Sequence, residues 1–286
     1  MRPVPAITVD VEDWPQSSWD RSLPITARAA DNTQRVLDLF QQLDTRVTLF
    51  VLGKFALAFP DVVKRMEREG HEVACHGDGH EAVFKLGRAG FAEDVRRAKG
   101  VLEDLVGAPV VGYRAPDFSI LPGQFWAFEV LADLGFAYDS SMFPIKAPRY
   151  GVPDWPPFPT RMQLAEKKSL VEFPIAIVQM AGRNWPLGGG GYQRLLPGAL
   201  FRMLSEKVMR ERLFVLYCHP YEFDHSEFEH LGFQVPWKVR LHQGWGRRFV
   251  PSRLAAFIRR FGGQPLRPLL KTGTFPEFSL DTIKSH

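Results

Sequence analysis

Short apolar runs alternate along the chain with longer segments in which apolar residues recur at helical spacing. Residues 6–11 (Ala-Ile-Thr-Val-Asp-Val) have the composition of a buried strand, and this run ends abruptly in acidic residues. A helical segment at 33–43 separates it from a second apolar run at 47–52. This order of strand, helix and strand predicts parallel strands joined by helical crossovers.

The same unit recurs through most of the chain. The Pro-rich, aromatic stretch 146–162 and the glycine run 188–191 are expected to form loops. About seven strands fit an α/β barrel better than an open sheet, so the sequence predicts a distorted seven-stranded (β/α) barrel. The further strands are expected at 71–75, 110–113, 170–173 and 213–218, and the further helices at 60–69, 91–105 and 123–134.

Length and composition favour one globular domain. The 286 residues suit a single barrel, 1–286, with a C-terminal extension at about 240–286. The formal charge of +4 arises from 36 Lys+Arg and 32 Asp+Glu, an excess too small to indicate a nucleic-acid partner. Cys75 and Cys218 each precede a histidine at the end of a predicted strand, which argues against a scaffold held by disulfides.

The sequence has neither a leader-like start nor an apolar stretch of roughly 18 residues that could span a bilayer. We therefore expect a cytoplasmic protein, at most peripheral to the inner leaflet. Residues 245–261 mix arginine with bulky apolar side chains. Such a segment either lies on a membrane surface or, more often, packs on the protein core. The oligomeric state is left open.

Metal-binding and acid–base residues fall at the carboxyl ends of successive predicted strands, where parallel α/β folds place their active sites. Taken singly, each has a plain structural explanation, such as turn formation, helix capping or a satisfied core histidine. Their joint occurrence at several strand ends favours a catalytic site. These residues are Asp10, Glu12 and Asp13 after the first strand, His76 and His80 after the third, Arg114 after the fourth and His219 after a late strand.

The spacing of two histidines indicates a metal. His76 and His80 form a His-x3-His pair, which presents two imidazoles on one side of a helical turn or compact loop. One added carboxylate gives the three-ligand arrangement, with an open position, that hydrolytic zinc sites use. Zn²⁺ is favoured, and Co²⁺, Ni²⁺ and Fe²⁺ also accept two imidazoles and one carboxylate.

The order and spacing of these motifs resemble the NodB-homology polysaccharide deacetylases of carbohydrate esterase family 4. Some segments also resemble the branch found with exosortase and exopolysaccharide loci. The resemblance implies metal-dependent removal of an N-acyl group, acetyl above all, from a sugar of a polysaccharide or of its lipid-linked precursor. The family motifs are 8–13 (Thr-Val-Asp-Val-Glu-Asp), 76–80 (His-Gly-Asp-Gly-His), 114–116 (Arg-Ala-Pro) and 216–219 (Leu-Tyr-Cys-His); the branch segments are 112–120, 138–144 and 172–174.

Two departures from the family pattern leave choices open. The family usually has adjacent Asp residues, the first a base and the second a metal ligand, but Val11 follows Asp10 here. The carboxylate ligand is therefore either Glu12, which strand alternation places on the face of Asp10, or Asp13, which matches in residue type. At the fourth motif, 139–141 (Asp-Ser-Ser) lacks the downstream Trp of the family's groove wall.

The resemblance implies a role for each residue outside the metal shell. Asp10 would act as the base, kept ionised by Arg114, and His219 as the acid, oriented by Asp139. Backbone N–H groups after Pro116 would stabilise the oxyanion. The residues expected to bind the substrate are Pro116, Asp117, Phe118, Trp155, Trp185 and Tyr192. The last three either offer aromatic faces to sugar rings or form lids packed on the barrel.

Two other functions remain compatible with these residues. One is an amidohydrolase for a non-sugar amide such as a cyclic imide, a ureide or a formamide, which the sequence Asp10-Val11-Glu12 favours. The other is a catalytically inactive carbohydrate-binding protein that retains the barrel. A protein that purifies without metal would indicate this second alternative.

Overall fold

A largely parallel sheet, covered by helices, forms the centre of the molecule. The computed structural model describes residues 4–283. The strands are β1 (Ala6–Val11), β2 (Thr48–Val51), β3 (Glu72–Cys75), β4 (Gly112–Tyr113), β5 (Tyr138–Asp139), β6 (Thr160–Gln163), β7 (Ser169–Glu172), β8 (Ile177–Met180), β9 (Arg183–Pro186), β10 (Val215–Cys218) and β11 (Glu277–Phe278). The helices are α1 (Ala27–Gln42), α2 (Gly53–Ala58), α3 (Pro60–Arg68), α4 (Val83–Val106), α5 (Trp126–Asp133), α6 (Gly190–Leu195), α7 (Gly198–Met209), α8 (Trp237–Gly244), α9 (Val250–Phe261) and α10 (Leu269–Thr272).

Seven neighbouring strands run parallel, in the order β10-β1-β2-β3-β4-β5-β7. Helices lie in most of the connections between them, as parallel pairing requires. β6 continues the sheet antiparallel to β7, and β11 pairs with β6 at the edge. The predicted α/β class with seven parallel strands is confirmed, although regular strand pairing within residues 4–283 does not close the ring.

Irregular backbone bridges the gap between β7 and β10. The Ala176 N–H donates to the Val215 carbonyl (3.1 Å), and the Tyr217 N–H donates to the Gly188 carbonyl (2.7 Å). A Cβ atom at Gly188 would lie 2.3 Å from the Val215 carbonyl oxygen, so only glycine lets the chain pass this close to β10. The glycine run that the sequence indicated as a loop therefore completes the wall of the barrel.

Strand alternation divides the core into two layers. Ile7, Val9 and Val11 of β1 are fully buried in the apolar layer between the sheet and the helices. The side chains of Thr8 and Asp10, which alternate with these residues along β1, point to the opposite side, into the interior of the barrel. The apolar side chains of the interior include Phe50, Ala74, Phe118, Tyr138, Phe143, Val171, Phe173 and Tyr217.

Several elements differ from the sequence prediction. α1 begins at Ala27 rather than near residue 33, and α4 begins at Val83 rather than near residue 91. Gly87, with φ 65°, interrupts the first turns of α4 and hides them from helical periodicity. α7 and the β8–β9 hairpin were not predicted, and β6 lies within a stretch predicted as a loop.

The C-terminal helix α9 packs on the barrel. It buries Val250, Leu254 and Phe257 in the main core, so the apolar side of this helix is not available to a membrane. Of the two alternatives for residues 245–261, α9 itself adopts the one in which the segment packs on the core. Among the helices of the described chain, none has both the length and the hydropathy needed to cross a bilayer.

Acidification is expected to destabilise the fold through His71, which precedes β3. Burial lowers the pKa of this imidazole to about 4, and its Nδ1 accepts the Val47 N–H at 3.3 Å. Unfolded His71, with the ordinary pKa of 6.5, binds more protons between these values, so its contribution to stability is lost as pH falls from 6.5 towards 4. His71→Gln retains an acceptor but does not titrate, and its free energy of unfolding should fall less.

Denaturant unfolding of wild type and His71→Gln at about pH 7 and about pH 4.5 measures this difference. Equal losses of stability in the two proteins would contradict it.

Candidate active site

Three ionisable side chains meet where β1 and β3 end. Glu12 Oε1 lies 3.0 Å from His76 Nε2 and 2.9 Å from His80 Nε2. All three side chains are buried, and their ligand atoms lie within 4.8 Å of one another. The structure thus brings the two predicted histidines together with one of the two candidate carboxylates.

The local backbone positions both imidazoles. His76 directly follows β3, and its Nδ1 donates to the Arg114 carbonyl (2.8 Å), which directs Nε2 towards Glu12. Such a bond from the other ring nitrogen is the usual support of a metal-binding histidine. Gly77 (φ 76°) and His80 (φ 61°) adopt left-handed conformations that turn the loop back. A non-glycine residue in this region is uncommon, and such residues cluster at functional sites.

Asp13 has a different role. Its Oδ2 accepts the Thr26 N–H at 2.6 Å, immediately before α1. Because Asp13 secures the start of this helix, the geometry favours Glu12 as the carboxylate that faces the histidines. Strand alternation explains the outcome, since Glu12 continues the register that points Asp10 into the barrel.

The charges around Glu12 suit a cation. Burial opposes ionisation of this carboxyl, but His80 and His219, with hydrogen bonds from the histidines, hold the pKa of Glu12 well below its ordinary value. The Nε2 atoms of His76 and His80 both face Glu12 Oε1, so two imidazole nitrogens and one carboxylate meet as potential ligand atoms. Glu12, His76 and His80 therefore fit a divalent cation, without selecting a particular one.

Arg114 and Asp10 form a buried ion pair beside this group. The fully buried Arg114 guanidinium donates to Asp10 Oδ1 at 2.6 Å. It also donates to the Thr8 hydroxyl and to the carbonyl and hydroxyl oxygens of Ser140, and it lies over the Phe50 ring, 4.1 Å from its centre. Asp10 is thereby held in one orientation beside a positive charge, as a base that must stay ionised requires.

His219 follows β10 and lies across the same site. Its Nε2 is 3.9 Å from Glu12 Oε1, and its Nδ1 is 3.5 Å from Glu222 Oε2. Burial lowers the pKa of His219, but the carboxylates of Glu12 and Glu222 outweigh this effect and raise the pKa to about 9. An imidazole in this setting carries a proton at neutral pH and can donate it.

Glu222, which the sequence prediction missed, is the carboxylate beside His219. It accepts the His219 backbone N–H at 3.0 Å, at the start of the one-turn helix Pro220–Phe223. A Cβ atom at Gly190 would lie 2.0 Å from Glu222 Oε2, so the absence of a side chain there makes room for the carboxylate. The signal available in the sequence was the capping-box spacing of three residues between His219 and Glu222.

Asp139, predicted to orient His219, is engaged elsewhere. It accepts the Ser141 N–H (2.8 Å) and hydroxyl (2.7 Å), and it shares a hydrogen bond with the Glu172 carboxyl. Burial and the charge of Asp139 raise the pKa of Glu172 well above its ordinary value, so Glu172 holds the proton of this pair. The expected Asp139–His219 pairing is corrected, and Glu222 takes that place.

An open cleft leads to these residues. Its volume of about 770 Å³ lies in the usual range for ligand sites, and Asp10, Glu12 and His219 form part of its wall. Of the residues predicted to bind substrate, Asp117 and Phe118 line this cleft, both in left-handed conformations. Pro116 lies behind them, against the loop that carries His76 and His80.

The three predicted aromatic residues are not in the cleft wall. Trp155 is 1% exposed and packs on Phe125 and Phe128, so its predicted role in the groove is corrected to one in the core. Trp185 is half-exposed on the β8–β9 hairpin, outside the set of residues that line the cleft. Tyr192 lies one layer back, bonded to cleft-lining Tyr150. An aromatic, Pro-rich sequence does not distinguish a lid on the core from a groove wall.

Other cleft residues were not assigned from the sequence. Arg21 lies 3.0 Å from His80 Nδ1 and forms an ion pair with Asp117 across the cleft mouth. These residues come from loops and from segments far apart in the chain, so no spacing marks them in a single sequence. They are Ser18, Arg21, Phe84, Lys85, Arg149, Tyr150, His242 and Gln243.

Two parts of the chain match known protein families. Residues 6–136 match the family described as "Polysaccharide deacetylase", and residues 140–271 match a domain of unknown function, DUF3473. The match to the deacetylase family covers 131 of the 286 residues. This deacetylase region contains Asp10, the Glu12–His76–His80 group and Arg114, whereas His219 and Glu222 lie in the second region. The matches do not distinguish the exosortase-associated branch.

Curated proteins with similar sequences match part of this chain. The peptidoglycan-N-acetylglucosamine deacetylase of Bacillus cereus is 32% identical over 98 residues, which are 34% of this chain and 36% of that protein. The peptidoglycan deacetylase of Helicobacter pylori is 30% identical over 110 residues, 38% of this chain and 36% of that protein. The matches thus span about a third of the length of these relatives.

Solved structures show a similar fold across nearly the whole chain. A family 4 carbohydrate esterase from Streptomyces lividans, in complex with acetate, has a TM-score of 0.51 and 14% identity, covering 96% of this chain and 97% of that one. A family 4 pseudoenzyme from Bacillus anthracis has a TM-score of 0.50 and 10% identity, covering 96% of this chain and 69% of that one. At these identities the likeness concerns the fold alone.

Glu12 and Asp13 are expected to differ in their effect on metal content. Glu12→Ala removes the carboxylate between the histidines, so the purified protein should lose bound divalent metal. Asp13→Asn leaves that group intact and should keep the metal, while the weakened bond to Thr26 costs about 1 kcal/mol of stability. Metal analysis and thermal unfolding of both variants measure these effects. Normal metal content in Glu12→Ala, or loss of metal in Asp13→Asn, would reject the choice of Glu12.

Proposed function

We propose that this polysaccharide deacetylase hydrolyses the N-acetyl amide of a sugar in a polysaccharide or in its lipid-linked precursor, with a divalent cation, Zn²⁺ in first place. The observation that carries the proposal is that a candidate base and a candidate acid line one cleft, whose wall also contains Glu12 of the three-ligand group. Relatives named peptidoglycan deacetylases support the sugar amide as the substrate class. The residues are Asp10 with Arg114, Glu12 with His76 and His80, and His219 with Glu222.

Asp10 takes the proton of the attacking water. Arg114 fixes the direction of this carboxylate, so that little reorganisation accompanies the transfer. A divalent cation held by Glu12, His76 and His80 would supply the Lewis acidity that activates the water and polarises the acyl carbonyl.

His219 supplies the second proton. Attack on the acyl carbon gives a tetrahedral species, and its collapse breaks the C–N bond only if the leaving nitrogen gains a proton. The protonated imidazole has a ring nitrogen within 4.8 Å of carboxylate oxygens of Asp10 and Glu12, and Glu222 Oε2 lies 3.5 Å from its Nδ1. The products are the acid and the free amino sugar.

We also propose a place in exopolysaccharide synthesis at the cell envelope. The similarity of residues 112–120 and 138–144 to the exosortase-associated branch supports it. A lipid-linked precursor would place the reaction at the cytoplasmic leaflet, in agreement with the expectation from the sequence.

Acetate release from N-acetylglucosamine oligosaccharides tests the activity directly. The purified protein should release acetate, lose this activity on treatment with a chelator and recover it with added Zn²⁺. A metal-loaded protein that is inert on every N-acetylated sugar would favour a non-sugar amide. A metal-free wild type that still binds glycan would favour an inactive carbohydrate-binding protein.

Asp10→Asn should abolish turnover and spare the metal. Loss of the base is expected to lower kcat by about 10²–10⁴-fold, because the amide cannot accept the water's proton. Metal content should stay near the wild-type value, since Asp10 is paired with Arg114. Kinetics and metal analysis of the same preparation decide the point, with His76→Ala as a comparison that should lose both metal and activity. Loss of metal in Asp10→Asn would make Asp10 a ligand instead.

Glu222→Gln should move the alkaline limb of the pH profile to lower pH. The Glu222 charge helps to raise the pKa of His219, so its removal lowers that pKa, and the protonated acid disappears at a lower pH. Asp139→Asn is the matched control, since this carboxylate contacts Ser141 and Glu172 instead. Profiles of kcat/KM against pH compare the three proteins. An alkaline limb that moves in Asp139→Asn but not in Glu222→Gln would instead support Asp139 as the partner of His219.

A further inference from the structure

One side of α8 carries large apolar side chains that project into solvent. Trp237 is 68% exposed, Leu241 is 52% exposed, and Trp245, which directly follows the helix, is 62% exposed. Their spacing of four residues places them along one face. These three residues are called the aromatic face below. Contiguous apolar surface of this kind marks an interaction site more often than a scattered exposed residue does.

The C-terminal end of α8 is anchored to the protein. Arg194 donates to the carbonyls of Gln243 (2.7 Å) and Trp245 (2.9 Å), and buried Arg247 donates to the Gln243 carbonyl (2.8 Å). Cationic donors at the last carbonyls stabilise a helix end. The last turn of the helix, which leads to Trp245, is therefore held in place by two arginines.

Basic side chains border the aromatic face on both sides. Lys238 and Arg240, both exposed, flank the stripe, and Arg248 follows with its guanidinium over the Phe249 ring at 4.5 Å. Glu229, also exposed, is the acidic residue in the shallow groove beside Trp237. Three cations against one carboxylate leave a positive border around the apolar stripe. Tryptophan with flanking Lys and Arg is the composition that binds the interface of an anionic bilayer.

α8 also contributes to the catalytic cleft. His242 and Gln243 lie in the cleft wall with Asp10 and His219. The helix thus separates the cleft from the solvent that bathes the aromatic face. A surface that binds the aromatic face would be held next to the mouth of the cleft.

We propose that the aromatic face of α8 docks on an anionic membrane surface. A neutral glycan chain could stack on the two tryptophans, but it would gain nothing from Lys238 and Arg240, whereas phospholipid headgroups would pair with both. Docking itself is independent of turnover. Its consequence for the enzyme, access to a lipid-linked sugar at the bilayer, rests on the proposed deacetylase function.

Co-sedimentation of the full chain with lipid vesicles tests the docking. The wild type should bind vesicles of phosphatidylcholine with phosphatidylglycerol about tenfold more strongly than vesicles of phosphatidylcholine alone. The double variant Trp237→Ser, Trp245→Ser should lose about tenfold or more of this binding. Trp185→Ser is the matched control, because Trp185 is 49% exposed on the β8–β9 hairpin. It should bind as the wild type does.

A second variant tests the charge argument. Lys238→Glu with Arg240→Glu keeps the tryptophans, and it should lose the preference for anionic vesicles, as should the wild type at high salt. The docking is rejected if the wild type binds neither kind of vesicle, or if the double tryptophan variant binds as well as the wild type. It is also rejected if that variant instead loses binding to N-acetylated oligosaccharide, which would make the aromatic face a glycan surface.

Activity separates the two proposals. The double tryptophan variant should release acetate from soluble oligosaccharides at the wild-type rate. A protein that binds anionic vesicles as described but releases no acetate would sustain the docking and reject the proposed function.

Discussion

A fully buried guanidinium must find partners for its charge and for its N–H groups inside the protein, because none of them reaches water. Arg114 meets this demand with Asp10, Thr8 and Ser140, and its own carbonyl accepts from His76. One residue therefore ties β1, the end of β5 and the histidine loop together. Removing one partner from such a pair typically costs about 3–5 kcal/mol of stability. The contacts that stabilise the barrel interior therefore also hold the candidate base and the histidine loop in place.

The protons of the two histidines are arranged differently. His76 donates through Nδ1 to the Arg114 carbonyl, and this bond directs Nε2 towards Glu12. Arg21 can only donate, so His80 Nδ1 accepts from it and Nε2 holds the proton that bonds to Glu12. Ligation through His80 Nε2 requires the opposite tautomer, which would face a donor at Arg21. Ligation through His80 Nε2 would therefore require Arg21 to move away from Nδ1, and Asp117 is a second partner of Arg21 at the cleft mouth.

A structural feature could be predicted from the sequence when its signal lies within a short stretch of the chain. Strand periodicity and its two-residue alternation are local, and they located β1, β2, β3 and β10 with the residues that follow them. The partner of His219 depends on which carboxylate the folded loops bring near it, and neither Asp139 nor Glu222 is distinguished by strand position. Trp155 shows the same limit, because an aromatic residue in a Pro-rich loop can cover the core as well as line a groove. The exposed face of α8 was not predicted, because the sequence alone does not show which side of this helix faces the protein.

The replacement of the family's second Asp by Val11 is explained by the register of β1. Adjacent side chains of a strand point to opposite faces, and Val11 lies in the apolar layer under the helices, where a carboxylate would be buried without a partner. The next inward position is Glu12, one residue further along the strand. Its side chain is one methylene longer than that of Asp, and it reaches both His76 and His80. Asp13, which follows where the strand ends, is left to hold the start of α1. A shift of the carboxylate by one position therefore keeps two histidines and one acid together, because the longer side chain compensates for the changed register.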